Sequence, residues 1–135
     1  MPLVLDASTA LSWVLTGQST KQADAILVAV MKSYAVSPMI WHFEVAAVLA
    51  RDLKAGTIDT LAVDEFLMLL AGLDIQLSLH PAPIEDLLQL AKTFNISGYD
   101  AAYLALARDS KLPLATSDIG LARAATQCGV SLLRF

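Results

Sequence analysis

The sequence predicts an α/β fold in which helices sandwich a mainly parallel central sheet of about five short strands. Three observations carry this expectation. Short apolar runs recur at residues 3–5, 34–37, 75–79, 112–115 and 130–133, each too short for a helix. Longer stretches with helix start and stop signals lie between them, and such alternation implies parallel strands joined by crossover helices. Finally, 56% of the residues are hydrophobic and only 16% are charged, so some helices must be buried on more than one face.

Residues 3–5 form the first strand, which ends at Asp6. Ala7, Ser8 and Thr9 then turn the chain into a helix through about Val14. A break follows over residues 17–20, where Ser19 or Thr20 caps a second helix to about Lys32. The second strand, 34–37, is closed by Pro38. A helix over about 40–54 ends at Gly56, and Asp59 begins another that is apolar over 66–70 and stops near Gly72. The third strand covers 75–79. Pro81 and Pro83 are loop and helix-start positions, and 85–94 is helical. Ser97 is placed to cap the next helix, with Asp100 in its first turn; over 101–107 that helix has no charge and is expected to be buried on most sides. Residues 112–115 make a short strand, and Thr116, Ser117 and Asp118 open a helix over 119–127. Gly129 ends that helix, and 130–133 is the last strand. No repeat, low-complexity stretch or linker interrupts the pattern, so residues 1–135 are read as a single domain.

The net charge is −4 and the pI is near 4.9. That argues against a protein gripping long stretches of nucleic-acid backbone by bulk charge. It leaves room for an enzyme that meets nucleic acid at one metal-filled site, where a cation partly neutralises an acidic cluster. The single cysteine, Cys128, excludes an internal disulfide and a cysteine zinc site, and suits a reducing compartment. Mean hydropathy is +0.60, high enough to suggest apolar surface covered by another chain, with 66–70 and 101–107 as the stretches to supply it. No apolar run approaches the ~18 residues that span a bilayer. The start, MPLVLDAS, lacks the basic residues and long apolar core of a signal peptide. The expected location is cytoplasmic, with no membrane partner.

Four acids are sent by topology to one place. Asp6 ends the first strand and Asp118 follows the fourth. Glu44 lies in the first turns of the helix after the second strand, and Asp100 in the first turn of the helix before the fourth. In a parallel sheet all four belong at the carboxyl edge, where such sheets bind ligands. Capping is the alternative role for Asp6, Asp100 and Asp118. Glu44 has no such role: it stands in the apolar run WHFEVAAVL, with Ala47 and Val48 as its helical neighbours. The other nine acids fall on helix faces, helix ends or loops. Close carboxylates repel, and an oxygen-only cluster suits Mg²⁺ or Mn²⁺. Such an ion can orient a phosphodiester, activate a water and stabilise a leaving oxygen. Ser8, Thr116 and Ser117 are candidates to position a carboxylate or a water, with capping again the alternative.

The segments LVLDAS, WHFEVAAVL, SGYDAAYLALA and PLATSD, followed by LARAA and GVSLL, resemble the PIN domain family over essentially the whole chain. They are most similar to the VapC-type toxins of bacterial and archaeal toxin–antitoxin pairs. The resemblance implies a three-layer α/β/α sandwich and a metal-dependent ribonuclease, a phosphodiester hydrolase acting on single-stranded RNA. It makes Asp6, Glu44, Asp100 and Asp118 both the catalytic residues and the acids that bind Mg²⁺ or Mn²⁺. Ser8 and Thr116 match the family's hydroxyl positions. A homodimer and a cognate antitoxin are implied as partners. Ala47 stands where many relatives carry Asn, and Gly120 where some carry a further acid.

Other chemistries fit less well. His42-Phe43-Glu44 has the H-x-E of zinc deaminases but no C-x-x-C to complete it. Asp6-Ala7-Ser8 resembles a haloacid dehalogenase-like phosphatase only faintly, because Ser8 replaces the second aspartate. Within the family resemblance two alternatives stand beside the toxin: a housekeeping RNA-processing nuclease, and a non-catalytic module binding RNA or protein.

Overall fold

The computed structural model describes residues 1–15 and 20–134. Its elements run β1 (Leu3–Leu5), α1 (Ala7–Leu11), α2 (Lys21–Lys32), β2 (Ala35–Pro38), α3 (Ile40–Ala55), α4 (Thr60–Ala71), β3 (Ile75–Ser78), α5 (Ile84–Phe94), α6 (Gly98–Ser110), β4 (Leu114–Ala115) and α7 (Ile119–Cys128). The strands form one parallel sheet in the order β3-β2-β1-β4. Val4 faces Val36 across one edge of β1 and Leu114 across the other. This is the expected α/β sandwich.

Local chemistry sets most element ends. The side chains of Thr20, Asp59, Ser97 and Asp118 accept hydrogen bonds from the N–H groups three residues on, capping α2, α4, α6 and α7. Gly56 and Gly129 close α3 and α7 with φ of +77° and +81°, a region that disfavours side chains. The expected break at residues 17–19, with Ser19 as one possible cap, lies outside the described residues.

Three expected elements are shorter than the sequence suggests. Regular helix α1 stops at Leu11 and continues as turns through Val14, in which Trp13 and Val14 bond back three residues. The Ser12 hydroxyl competes there for the Thr9 carbonyl. The fifth strand reduces to one bridge, Leu114 to Leu132. Strand β4 is two residues long, because Pro113 has no N–H to offer and Thr116 turns towards Asp6.

All three residues of β1 are buried, each contributing roughly 1.5–3 kcal/mol. Helix α6 packs across β1, β2 and β4 and against α5 and α7. Its Ala101, Tyr103, Leu104, Ala105 and Ala107 are buried, so the uncharged stretch 101–107 supplies the core and not the surface apolar excess expected of it. Helix α4 does expose apolar area: Phe66 points inward, but Leu61 and Met68 are 66% and 76% exposed. Among the described residues no helix is long and apolar enough to cross a membrane.

Candidate active site

The carboxyl ends of the parallel strands share one edge. Asp6 follows β1 directly, and its backbone N–H donates to the Ala115 carbonyl of β4 at 3.0 Å. Glu44 lies one turn into α3, the helix that leaves β2. Asp100 sits in the first turn of α6 and Asp118 at the start of α7.

The structure separates capping from the other role. Asp118 caps α7, its Oδ1 accepting from the Leu121 N–H at 2.9 Å. Asp6 occupies the N-cap position of α1 but makes no cap bond. Its Oδ2 accepts instead from the hydroxyls of Ser8, at 2.8 Å, and Thr116, at 2.6 Å. Asp100 is not a cap either, since Ser97 takes that place and accepts from the Asp100 N–H. Thr116 Oγ1 also accepts from the Asp118 N–H at 3.0 Å, so one hydroxyl ties two of the acids together. Ser117 is joined to α1 and to no carboxylate: its N–H donates to Ser8 Oγ, and its hydroxyl meets that of Thr9.

Electrostatics link the four acids. Burial raises Asp6 above the ordinary carboxylate range; hydrogen bonds from Thr116, Ser8 and the Ala7 backbone oppose this, and the Asp118 charge adds to it. Burial also raises Glu44, against the Tyr103 hydrogen bond and with help from Asp6. Asp100 is pushed up to about 6, first by burial and then by the charges of Asp118, Asp6 and Glu44. The three other acids thus all act on Asp100.

The donors are carboxylate and hydroxyl oxygens, which suit Mg²⁺ or Mn²⁺ in chemistry. Among the described residues no three His, Cys, Asp or Glu side chains form a group that could hold a metal ion as they stand. The acids sense one another's charge without converging, an arrangement that repulsion favours. At Gly120, a Cβ would meet Asp118 Oδ1 at 3.2 Å, so a side chain at this position presses on the fourth acid. His42 and His80 are both exposed.

Sequence reasoning missed Tyr103. It is fully buried, and its hydroxyl donates to Glu44 Oε1 at 2.6 Å. Burial, followed by the Glu44 hydrogen bond and charge among other effects, raises its pKa, so it remains a donor at any working pH. The available signal was spacing: Tyr103 is three residues from Asp100 and therefore on the same helix face. Tyr103→Phe is expected to destabilise the fold by about 1–2 kcal/mol, since a half-buried carboxylate loses its donor. It should also raise the Glu44 pKa further, because the lost bond favours the charged form. Urea titration and a carboxyl-resolved NMR titration would check this; an unchanged Glu44 titration would mean that the bond does not set its charge.

A family model matches the chain in sequence, and solved structures resemble it in fold. The model of the family described as "PIN domain" matches residues 3–127. No curated protein matches. Among solved structures, PAE2754 from Pyrobaculum aerophilum aligns with a TM-score of 0.69 at 20% identity, over 92% of this chain and 84% of that one. FitAcB from Neisseria gonorrhoeae aligns with a TM-score of 0.56 at 24% identity, over 99% of this chain and 97% of that one. At these identities the likeness is one of fold.

Proposed function

The chain belongs to the PIN domain family, whose members are generally nucleases, and on that premise we propose that it is a divalent-metal-dependent endoribonuclease. Its substrate is single-stranded RNA, its location cytoplasmic and its role that of the toxin in a toxin–antitoxin pair, exercised by one nuclease domain. The observation that supports this best is that Asp6, Glu44, Asp100 and Asp118 share one sheet edge, where the charges of the other three all act on Asp100.

Asp6, Asp100 and Asp118 are the side chains that would hold Mg²⁺ or Mn²⁺. When bound, the ion supplies an acidified water and charge stabilisation at the leaving oxygen. Ser8 and Thr116 fix the Asp6 carboxylate by both donating to Oδ2. Glu44, held by Tyr103, orients the attacking water and receives its proton. The water oxygen bonds to phosphorus as the bond to the 3′ oxygen breaks, and that oxygen takes a proton from solvent, which leaves 5′-phosphate and 3′-hydroxyl ends. Purified chain should cut unstructured RNA with Mg²⁺ or Mn²⁺, stop in EDTA, recover on metal addition and work poorly with Ca²⁺. Cleavage that continues in EDTA, or products ending in a cyclic phosphate, would remove this mechanism.

Two protein partners go with the reading. A homodimer would cover apolar surface such as Leu61 and Met68 of α4; sedimentation at micromolar concentration showing only a 14.4 kDa species would count against it. A cognate antitoxin would lay its C-terminal segment along α1, α2 and α3, where Phe43 is exposed, and send an arginine to Asp6 and Asp100. Failure of the neighbouring gene's product to co-purify would speak against that partner.

A further inference from the structure

A cleft of about 380 Å³ opens on the outer side of β4, within the range of ligand clefts. Thr116, Ser117 and Asp118 form one end, α7 lines it with Arg123 and Thr126, and the C-terminal segment closes it with Arg134. It is continuous with the acidic site, because Thr116, which lines the cleft, also donates to Asp6.

The two arginines of this cleft differ from the other two in the chain. There are four arginines. Arg51 pairs with Asp52 at 3.0 Å, and Arg108 pairs with Asp86 at 2.7 Å and Asp109 at 2.8 Å. Arg123 and Arg134 make no ion pair among the described residues, although the net charge is −4, and both line this one cleft. A second cleft of similar size, between α6 and the ends of β2 and β3, is lined largely by apolar residues and contains neither lysine nor arginine.

From this we infer that the cleft is a phosphate subsite for the RNA strand, with Arg123 and Arg134 as its cationic groups. The inference deepens the nuclease reading and rests on it. An acidic site repels RNA wherever no cation screens it, so the strand needs positive charge nearby. A guanidinium offers a planar fork that matches two phosphate oxygens. A strand with its scissile phosphate at the carboxylates passes Thr116 and Ser117 and enters this cleft, placing the neighbouring phosphate between the two arginines. The hydroxyls of Ser117 and Thr126 are further donors on the same wall.

The test uses the full chain carrying Asp100→Asn, so that binding is read without cleavage. Anisotropy with an unstructured RNA oligonucleotide, across a salt series, gives affinity and salt slope. Arg123→Gln with Arg134→Gln is expected to weaken binding by ~10-fold or more and to reduce the slope by ~0.7, the value for one lost phosphate on a single strand. The double lysine variant should restore the slope. In the chain with Asp100 intact, the double glutamine variant should raise KM while kcat stays within about twofold. Arg51→Gln serves as the charge control. Binding and slope unchanged by the double glutamine change, or altered equally by Arg51→Gln, overturn the subsite even if the chain cuts RNA. Arginine-dependent binding without metal-dependent cleavage supports the subsite and overturns the nuclease reading. A chain that binds no RNA overturns both.

Discussion

Asp100→Asn is expected to lower RNA cleavage by ~10²–10³-fold or more while making the metal-free protein more stable. Both effects come from the charged form of Asp100, which burial disfavours first and the charges of the other three acids disfavour further. Asparagine keeps the size and one oxygen but removes the negative charge a divalent ion needs. The stability effect has a definite pH window. The folded carboxyl titrates near 6 against 3.8 for the ordinary side chain, so between those values the native state binds more protons than the unfolded one. Stability of the parent chain therefore falls as pH rises through that window. The gain from Asp100→Asn should be full above pH ~6.5, on the order of 1 kcal/mol once partial exposure is discounted, and absent below pH ~4. Thermal melts at both pH values, with and without Mg²⁺, separate the cases. A variant less stable than the parent at pH 7.5 without metal would show that burial and repulsion do not penalise the Asp100 charge as described.

Leu5→Ala should have the largest effect on stability, about 2–5 kcal/mol, a large share of what a domain of this size possesses. Leu5 is fully buried, pairs with Ala115 of β4, and its carbonyl accepts from Ser37 Oγ at 2.7 Å. Truncation leaves a cavity beneath the residue that carries Asp6. Leu5→Ile keeps the volume and should cost under about 1.5 kcal/mol. Urea midpoints give both values, and near-equal midpoints for the two variants would show that the sheet collapses around the gap.

The elements were legible because their ends are chemical. Ser97, Asp59 and Thr20 are side chains that cap, and Gly129 stops a helix wherever the chain must turn left-handed. The placing of Asp6, Glu44, Asp100 and Asp118 at one sheet edge was legible from topology alone, because parallel strands send their ends to one edge. Which of Asp6 and Asp118 also caps was not, since both stand at helix starts and only the three-dimensional positions of Ser8 and Thr116 separate them. Tyr103 was hidden for another reason. In an apolar helix it reads as core, and it is core; its hydroxyl matters because a helix 59 positions away in sequence supplies the carboxylate. The idle arginines of the cleft were equally hidden, because pairing depends on tertiary neighbours that spacing does not reveal.

The central place of β1 bears on when the protein first becomes itself. Synthesis delivers β1 well before its partner on one side, β4, and Asp6 waits 110 positions for Thr116. Pairing across such a separation is slow. While the ribosome is still short of residue 114, Asp6, Glu44 and Asp100 have been made but one flank of their strand is bare and the fourth acid does not yet exist. Under the nuclease reading, the acidic edge is assembled only once β4 and Asp118 have joined the fold.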